Sequence, residues 1–107
     1  MTNQSQRPTR AEVFPKFQDL SEKVLFGDVW ERPGLSKRDR SLATCAMLAA
    51  LYRTEQLRGH IGRALDNGIT KDELVELFTH VPFYSGWPNG VNAMEVAMQV
   101  FEQRGLL

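Results

Sequence analysis

The chain has 107 residues, enough for one domain and too few for two. Its thirteen basic and thirteen acidic residues cancel, which argues against the broad positive field of a nucleic-acid binder. A single cysteine, Cys45, excludes an internal disulfide, a dithiol redox pair and a cysteine-rich metal site.

Residues 1–8 are polar and read as a flexible leader; residues 9–107 form the domain. Phe14, Phe17, Leu20 and Val24 then recur at spacings of three and four, a helical stripe. Pro15 fits only a first turn, so this helix starts near Phe14 and ends before Gly27. The stretch from Phe26 to Leu35 holds Gly27, Pro33 and Gly34 and reads as a connector, with Trp30 expected on the core. Ser36 is a good N-cap for the next helix, with Asp39 three residues on. From Leu42 to Leu51 only Thr44 is not apolar. A helix apolar on nearly all sides needs a central position or a partner subunit.

Thr54 is expected to cap a helix that runs through Leu57, His60, Ile61, Ala64 and Leu65 to Asn67, with Gly68 as its left-handed stop. Gly59 and Gly62 inside it each cost about 1 kcal/mol relative to alanine, which suggests close approach of another backbone. Thr70 and Glu73 form a capping box for a helix with the stripe Leu74, Leu77, Phe78 and Val81. Pro82 ends or kinks that helix, and residues 84–87 make a turn. Pro88 opens the last helix, with Val91, Met94, Ala97, Met98 and Phe101 expected inward and Gly105 beyond its end. The pattern has no strand signal and predicts an all-α bundle of about five helices.

Among residues able to carry chemistry, His60 shares a helix face with Leu57 and Ala64. Its ring is therefore either a functional acid/base group or a hydrogen-bonded core histidine. Glu55 lies five residues earlier, off the ideal spacing for a pair on one face. His80 follows Glu76 by four, a spacing that permits a surface pair. Two histidines among scattered carboxylates lack a metal-site spacing, so no metal and no cofactor is expected. Cys45, mid-helix among apolar residues, reads as an inert packing thiol. Arg40, with Arg38 and Lys37 beside it, can hold a carboxylate or simply form a solvated first turn. Tyr84, Trp87 and Trp30 offer aromatic walls with polar tips, or plain core. Residues 60–81 also imitate a helix-turn-helix. The would-be recognition helix carries Asp72, Glu73 and Glu76 against Lys71, a charge that opposes entry into a phosphate-lined groove.

These segments, in this order, resemble the carboxymuconolactone decarboxylase family. The resemblance rests on Gly27-Asp28-Val29-Trp30 with Arg32-Pro33-Gly34-Leu35, on Arg38-Asp39-Arg40-Ser41-Leu42, and on Leu57-x-x-His60-x-x-x-Ala64 with Asn67-Gly68. Thr70-x-x-Glu73-Leu74 and Tyr84-x-Gly86-x-Pro88 complete it. The resemblance implies an alkylhydroperoxidase D-like helical fold, association as a trimer or hexamer, and pockets near the histidine-bearing helix, often completed by a neighbouring subunit. One branch of the family uses Cys-x-x-Cys ahead of the histidine; Arg53 and Gln56 stand at those positions here, so thiol peroxidase chemistry is not expected.

The other branch decarboxylates 4-carboxymuconolactone in aromatic catabolism, and by resemblance this chain is a lyase acting on a small carboxylated lactone; the lone cysteine and the absence of a signal or span make a cytoplasmic location the expectation. In that reading His60 donates the proton and Arg40 holds a carboxylate. Glu55 or Tyr84 orients the substrate, and Trp30, Trp87 and His80 line its pocket. Gln56, Trp87 and Asn89-Gly90 depart from the family pattern. The alternatives are therefore a member with different small-molecule chemistry, or an oligomeric ligand-binding protein. Neither nucleic acid nor membrane is an expected partner, since no stretch approaches the ~20 apolar residues of a membrane span and the start of the chain carries no secretory signal.

Overall fold

A computed structural model describes residues 6–107. All its regular elements are helical, and the chain divides into two units, Met1–Gly34 and Leu35–Leu107. Most of the expected leader, residues 1–5, lies outside the described residues.

In the first unit Thr9 caps the short helix α1 (Arg10–Val13), its hydroxyl accepting from the Glu12 amide at 3.1 Å. Helix α2 (Pro15–Leu20) starts on its proline, as expected, and runs on as a wider π-helical turn over Ser21–Phe26. A 3₁₀ turn follows at Val29–Glu31. Trp30 sets its ring 6.1 Å from that of Phe26. No residue of these elements is buried, and the stripe Phe14, Phe17, Leu20 and Val24 stays open.

The second unit holds five helices: α3 (Lys37–Ala50), α4 (Thr54–Asp66), α5 (Lys71–His80), α6 (Pro82–Ser85) and α7 (Trp87–Gln103). Local chemistry sets most of their ends. Ser36 accepts from the Asp39 amide at 3.0 Å. Thr70 and Glu73 close a full capping box. Gly68 and Gly105 take the left-handed conformation after α4 and α7. Thr54 is not a cap: Arg53 occupies that position without a side-chain bond, and Thr54 is the first helical residue. The expected turn over 84–87 is split, with α6 closing one helical turn and Gly86, at φ 102°, breaking it from α7.

The core draws Cys45 and Ala49 from α3, Leu57, Ile61 and Ala64 from α4, Leu74 and Phe78 from α5 and Ala97 and Phe101 from α7. Burial of each large apolar side chain contributes about 1.5–3 kcal/mol. The inward face of α7 is turned from the expected one, keeping Ala97 and Phe101 but not Val91, Met94 or Met98. Gly90, Ala93, Val96, Ala97, Val100 and Phe101 are buried, while Val91, Met94 and Met98 face outward. This helix is apolar around most of its circumference, so periodicity admits either stripe. The small residues Gly90, Ala93 and Ala97 decide it by letting α7 approach its neighbours closely. On α3 only Ser41, Cys45 and Ala49 are buried; Met47 and Leu51 remain more than half exposed.

The two α4 glycines also differ from expectation. A side chain at Gly62 would meet the Arg104 guanidinium at 2.9 Å, which donates to the Gly62 carbonyl at 3.1 Å and to Asp66 at 2.7 Å. That approach is by a side chain, not by a backbone. Gly59 has nothing within 4 Å. Gly59→Ala is therefore expected to raise stability by about 0.5–1 kcal/mol through lower unfolded-state entropy, read as a higher denaturant midpoint at unchanged slope.

Candidate functional site

His60 sits midway along α4, next to buried Ile61 and one turn from buried Leu57 and Ala64. The ring is half-buried and its Nδ1 is shut off from solvent. Burial, with the charge of Arg63 second, holds its pKa below the ordinary 6.5, so the free protein carries a neutral imidazole at pH 7. Arg63 stands three residues on, exposed and on the neighbouring position of the same helix surface. The sequence reading passed over it. The signal was present, since an i, i+3 cation next to a candidate acid both lowers the histidine pKa and offers a second hold on an anionic substrate.

The other residues expected at the site fall into two groups. Asn67, seven residues past His60, donates to the Ser41 hydroxyl at 2.9 Å. Arg40, beside Ser41, thus lies at the Asn67 end of α4. Its Nε donates to the Leu35 carbonyl at 3.1 Å, anchoring the guanidinium at the start of α3. Glu55 lies at the opposite end of α4, exposed and 3.6 Å from Arg58.

The second group is an aromatic corner. The rings of His80 and Tyr84 meet at a tilt of 37° with centroids 4.8 Å apart, and Phe83 meets Trp87 edge-on at 5.3 Å. Phe83, Tyr84 and Trp87 are 70%, 81% and 60% exposed, a concentration of open aromatic surface of the kind kept for binding. Arg58 of α4 bonds Gln99 of α7, and Arg104 bonds Gly62, so the two helices run side by side. Trp87 lies twelve residues before Gln99, about 18 Å along the axis. Trp30 belongs to the first unit.

An open cleft of about 720 Å³ lies between α3, α5 and α6, floored by Leu42, Leu77 and Phe83 and edged by Asp72, Glu73, Glu76 and His80. Glu73 is paired with Arg38. Its acidic edge opposes a carboxylate ligand. Arg40, Glu55 and His60 do not line it. Cys45 is fully buried, and desolvation pushes its thiol up to about 12, so it is a packing residue. Among the described residues no three His, Cys, Asp or Glu side chains gather as a metal site, and no helix is long and apolar enough to cross a membrane.

Comparison with known proteins adds what a lone geometry cannot. The chain is 44% identical over 90 residues to the 4-carboxymuconolactone decarboxylase of Acinetobacter baylyi, across 84% of this chain and 67% of that protein. It is 34% identical over 82 residues to a nitrosuccinic acid decarboxylase of Metarhizium robertsii, covering 77% of this chain and 57% of that one. An uncharacterized 15.0 kDa protein of Paracoccus denitrificans is 29% identical over 83 residues, 76% and 62% of the respective chains. The matches thus span 57% to 67% of the relatives' own lengths. The sequence profile of the carboxymuconolactone decarboxylase family matches residues 15–99, taking in the helix that carries His60 and the aromatic corner. This chain is a member of the carboxymuconolactone decarboxylase family.

Proposed function

We propose that the protein is a carboxy-lyase that removes carbon dioxide from a small carboxylated lactone in the breakdown of aromatic compounds, working in the cytoplasm as a homo-oligomer. The observation that carries this reading is the half-buried imidazole of His60 beside Arg63, on the scaffold shared with two named decarboxylases. Both names describe loss of carbon dioxide from a small acid whose lactone or nitro group can accept the electron pair left behind.

The chemistry needs three things. The carboxylate must be held, the C–C bond must break with its electrons passing into the lactone carbonyl, and one proton must reach carbon. Arg63 and Arg40 supply cations for the carboxylate. His60 is neutral in the free protein, and an anionic substrate beside the ring favours the imidazolium. The ring then gives its proton to the dienolate carbon, and a proton from solvent restores it. In this reading the exposed aromatic corner of a second copy closes the pocket. Met47 on α3 and Leu51 just after it, with Val91, Met94 and Met98 on α7, offer apolar surface for such association.

The test is purified protein with 4-carboxymuconolactone, following carbon dioxide release and lactone absorbance, with nitrosuccinic acid as the second acid. Release from the lactone supports the reading. Saturable binding with no release from either acid supports a non-catalytic ligand-binding protein instead. The acid form of His60 is the donor, so kcat/KM is expected to fall about tenfold per pH unit as pH rises through a value below 6.5. A flat profile between pH 5 and 8 would remove His60 from proton transfer.

A further inference from the structure

Three helices of the second unit end with the same pair of closing bonds. After α4, Ile69 donates to Ala64 at 2.9 Å and Gly68 to Leu65 at 3.2 Å; after α7, Leu106 donates to Phe101 at 2.8 Å and Gly105 to Glu102 at 3.1 Å. After α3, Arg53 donates to Leu48 at 2.9 Å and Tyr52 to Ala49 at 3.2 Å. The pivot residue is left-handed in all three, at φ 99° for Gly68, 69° for Gly105 and 59° for Tyr52. Two of these pivots are the residue that needs no Cβ room. The third is a bulky aromatic, for which this backbone conformation is an outlier. Burial does not repay the strain, because Tyr52 is 57% exposed.

The same turn is tied to the aromatic corner. Asn89, in the first turn of α7, donates through Nδ2 to the Ala50 carbonyl at 2.9 Å and to the Ser85 carbonyl at 3.2 Å. One side chain thereby joins the end of α3, two residues before Tyr52, to the end of α6, one residue after Tyr84. Asn89, a departure from the family pattern, has here a definite structural task. Strain held at an exposed aromatic, fixed beside other exposed aromatics, marks a residue kept for contact rather than for folding.

We propose that Tyr52 is a substrate-contacting specificity residue, completing with Tyr84 and Trp87 the aromatic wall that receives the flat lactone ring, its phenol O–H donating to a ring or carboxylate oxygen. This rests on the carboxy-lyase reading above. The experiment compares wild type, Tyr52→Gly and Tyr52→Phe by thermal melting and by 4-carboxymuconolactone kinetics. Tyr52→Gly is expected to melt several degrees higher, through relief of strain, and to raise KM about tenfold with kcat within about threefold, the pattern of lost uniform binding. Tyr52→Phe is expected to melt near wild type and raise KM by a smaller factor, reporting the hydroxyl alone. An unchanged KM in Tyr52→Gly, whether melting rises or falls, overturns the proposal while wild-type turnover stands. A wild type that neither turns over nor binds the lactone overturns the carboxy-lyase reading and this proposal with it.

Discussion

His60→Gln is expected to cut turnover of 4-carboxymuconolactone about a hundredfold or more while leaving the fold intact. Glutamine keeps much of the volume of the imidazole and a hydrogen-bond donor, but it has no proton to deliver near neutral pH. If the donor is lost, kcat and kcat/KM fall together and the limb of the pH profile disappears. A variant with near-normal turnover would sink the assignment and turn attention to His80, the other histidine. The same substitution carries a stability signature independent of activity. The folded-state pKa of His60 lies below its ordinary value, so in the window between them the unfolded chain binds more protons. Stability is therefore full above pH 6.5 and declines as pH falls through the lowered folded value. His60→Gln removes that acid-side decline. Chemical denaturation of wild type and variant at pH 7.5 and 5 measures it, with the wild type losing more stability than the variant between the two.

Gly90→Ala is expected to be the most damaging single-methyl change in the second unit. The added Cβ would lie 2.0 Å from Cγ, 2.7 Å from Cβ and 3.0 Å from Cδ of Pro82. Those atoms belong to a rigid, buried ring at the α5–α6 break and cannot swing aside. Overpacking of this kind costs about 3 kcal/mol, which for a domain of this size lowers the melting temperature by more than about 10 °C. Relief requires α6 to move off α7, displacing Phe83 and Tyr84. Even a folded population should thus show altered Trp87 fluorescence and weaker substrate binding. A melting temperature within two or three degrees of wild type would show that the corner is loosely packed and unsuited to hold a ligand wall. Gly59→Ala, the same change in open space, is the matched control.

The contrast between those two glycines shows what kind of information each level holds. Nothing in the spacing of α4 or α7 says which glycine faces a proline ring and which faces solvent. Local signals, by comparison, were readable directly. Ser36, the Thr70–Glu73 box, Pro15, Pro82, Gly68 and Gly105 set their helix ends as expected, because a cap is made with atoms within five residues along the chain. The thiol of Cys45 is inert, and the residues standing where a Cys-x-x-Cys pair would be are Arg53 and Gln56. Family membership followed from ordered motifs, each weak alone.

Tertiary structure decided the rest, through contacts between residues far apart in sequence. It turned Gly90, Ala93, Val96 and Val100 inward with the expected Ala97 and Phe101 and left Met94 and Met98 outside, because small residues allow the close approach to Pro82 and α4. It placed Tyr52 in a left-handed turn where the tyrosine codes for no such conformation. It also set α4 against α7 through Arg58, Gln99 and Arg104, and the end of α3 against the start of α7 through Asn89. Sequence determined the helices, the family and the candidate acid; packing alone determined which side chains can meet one substrate.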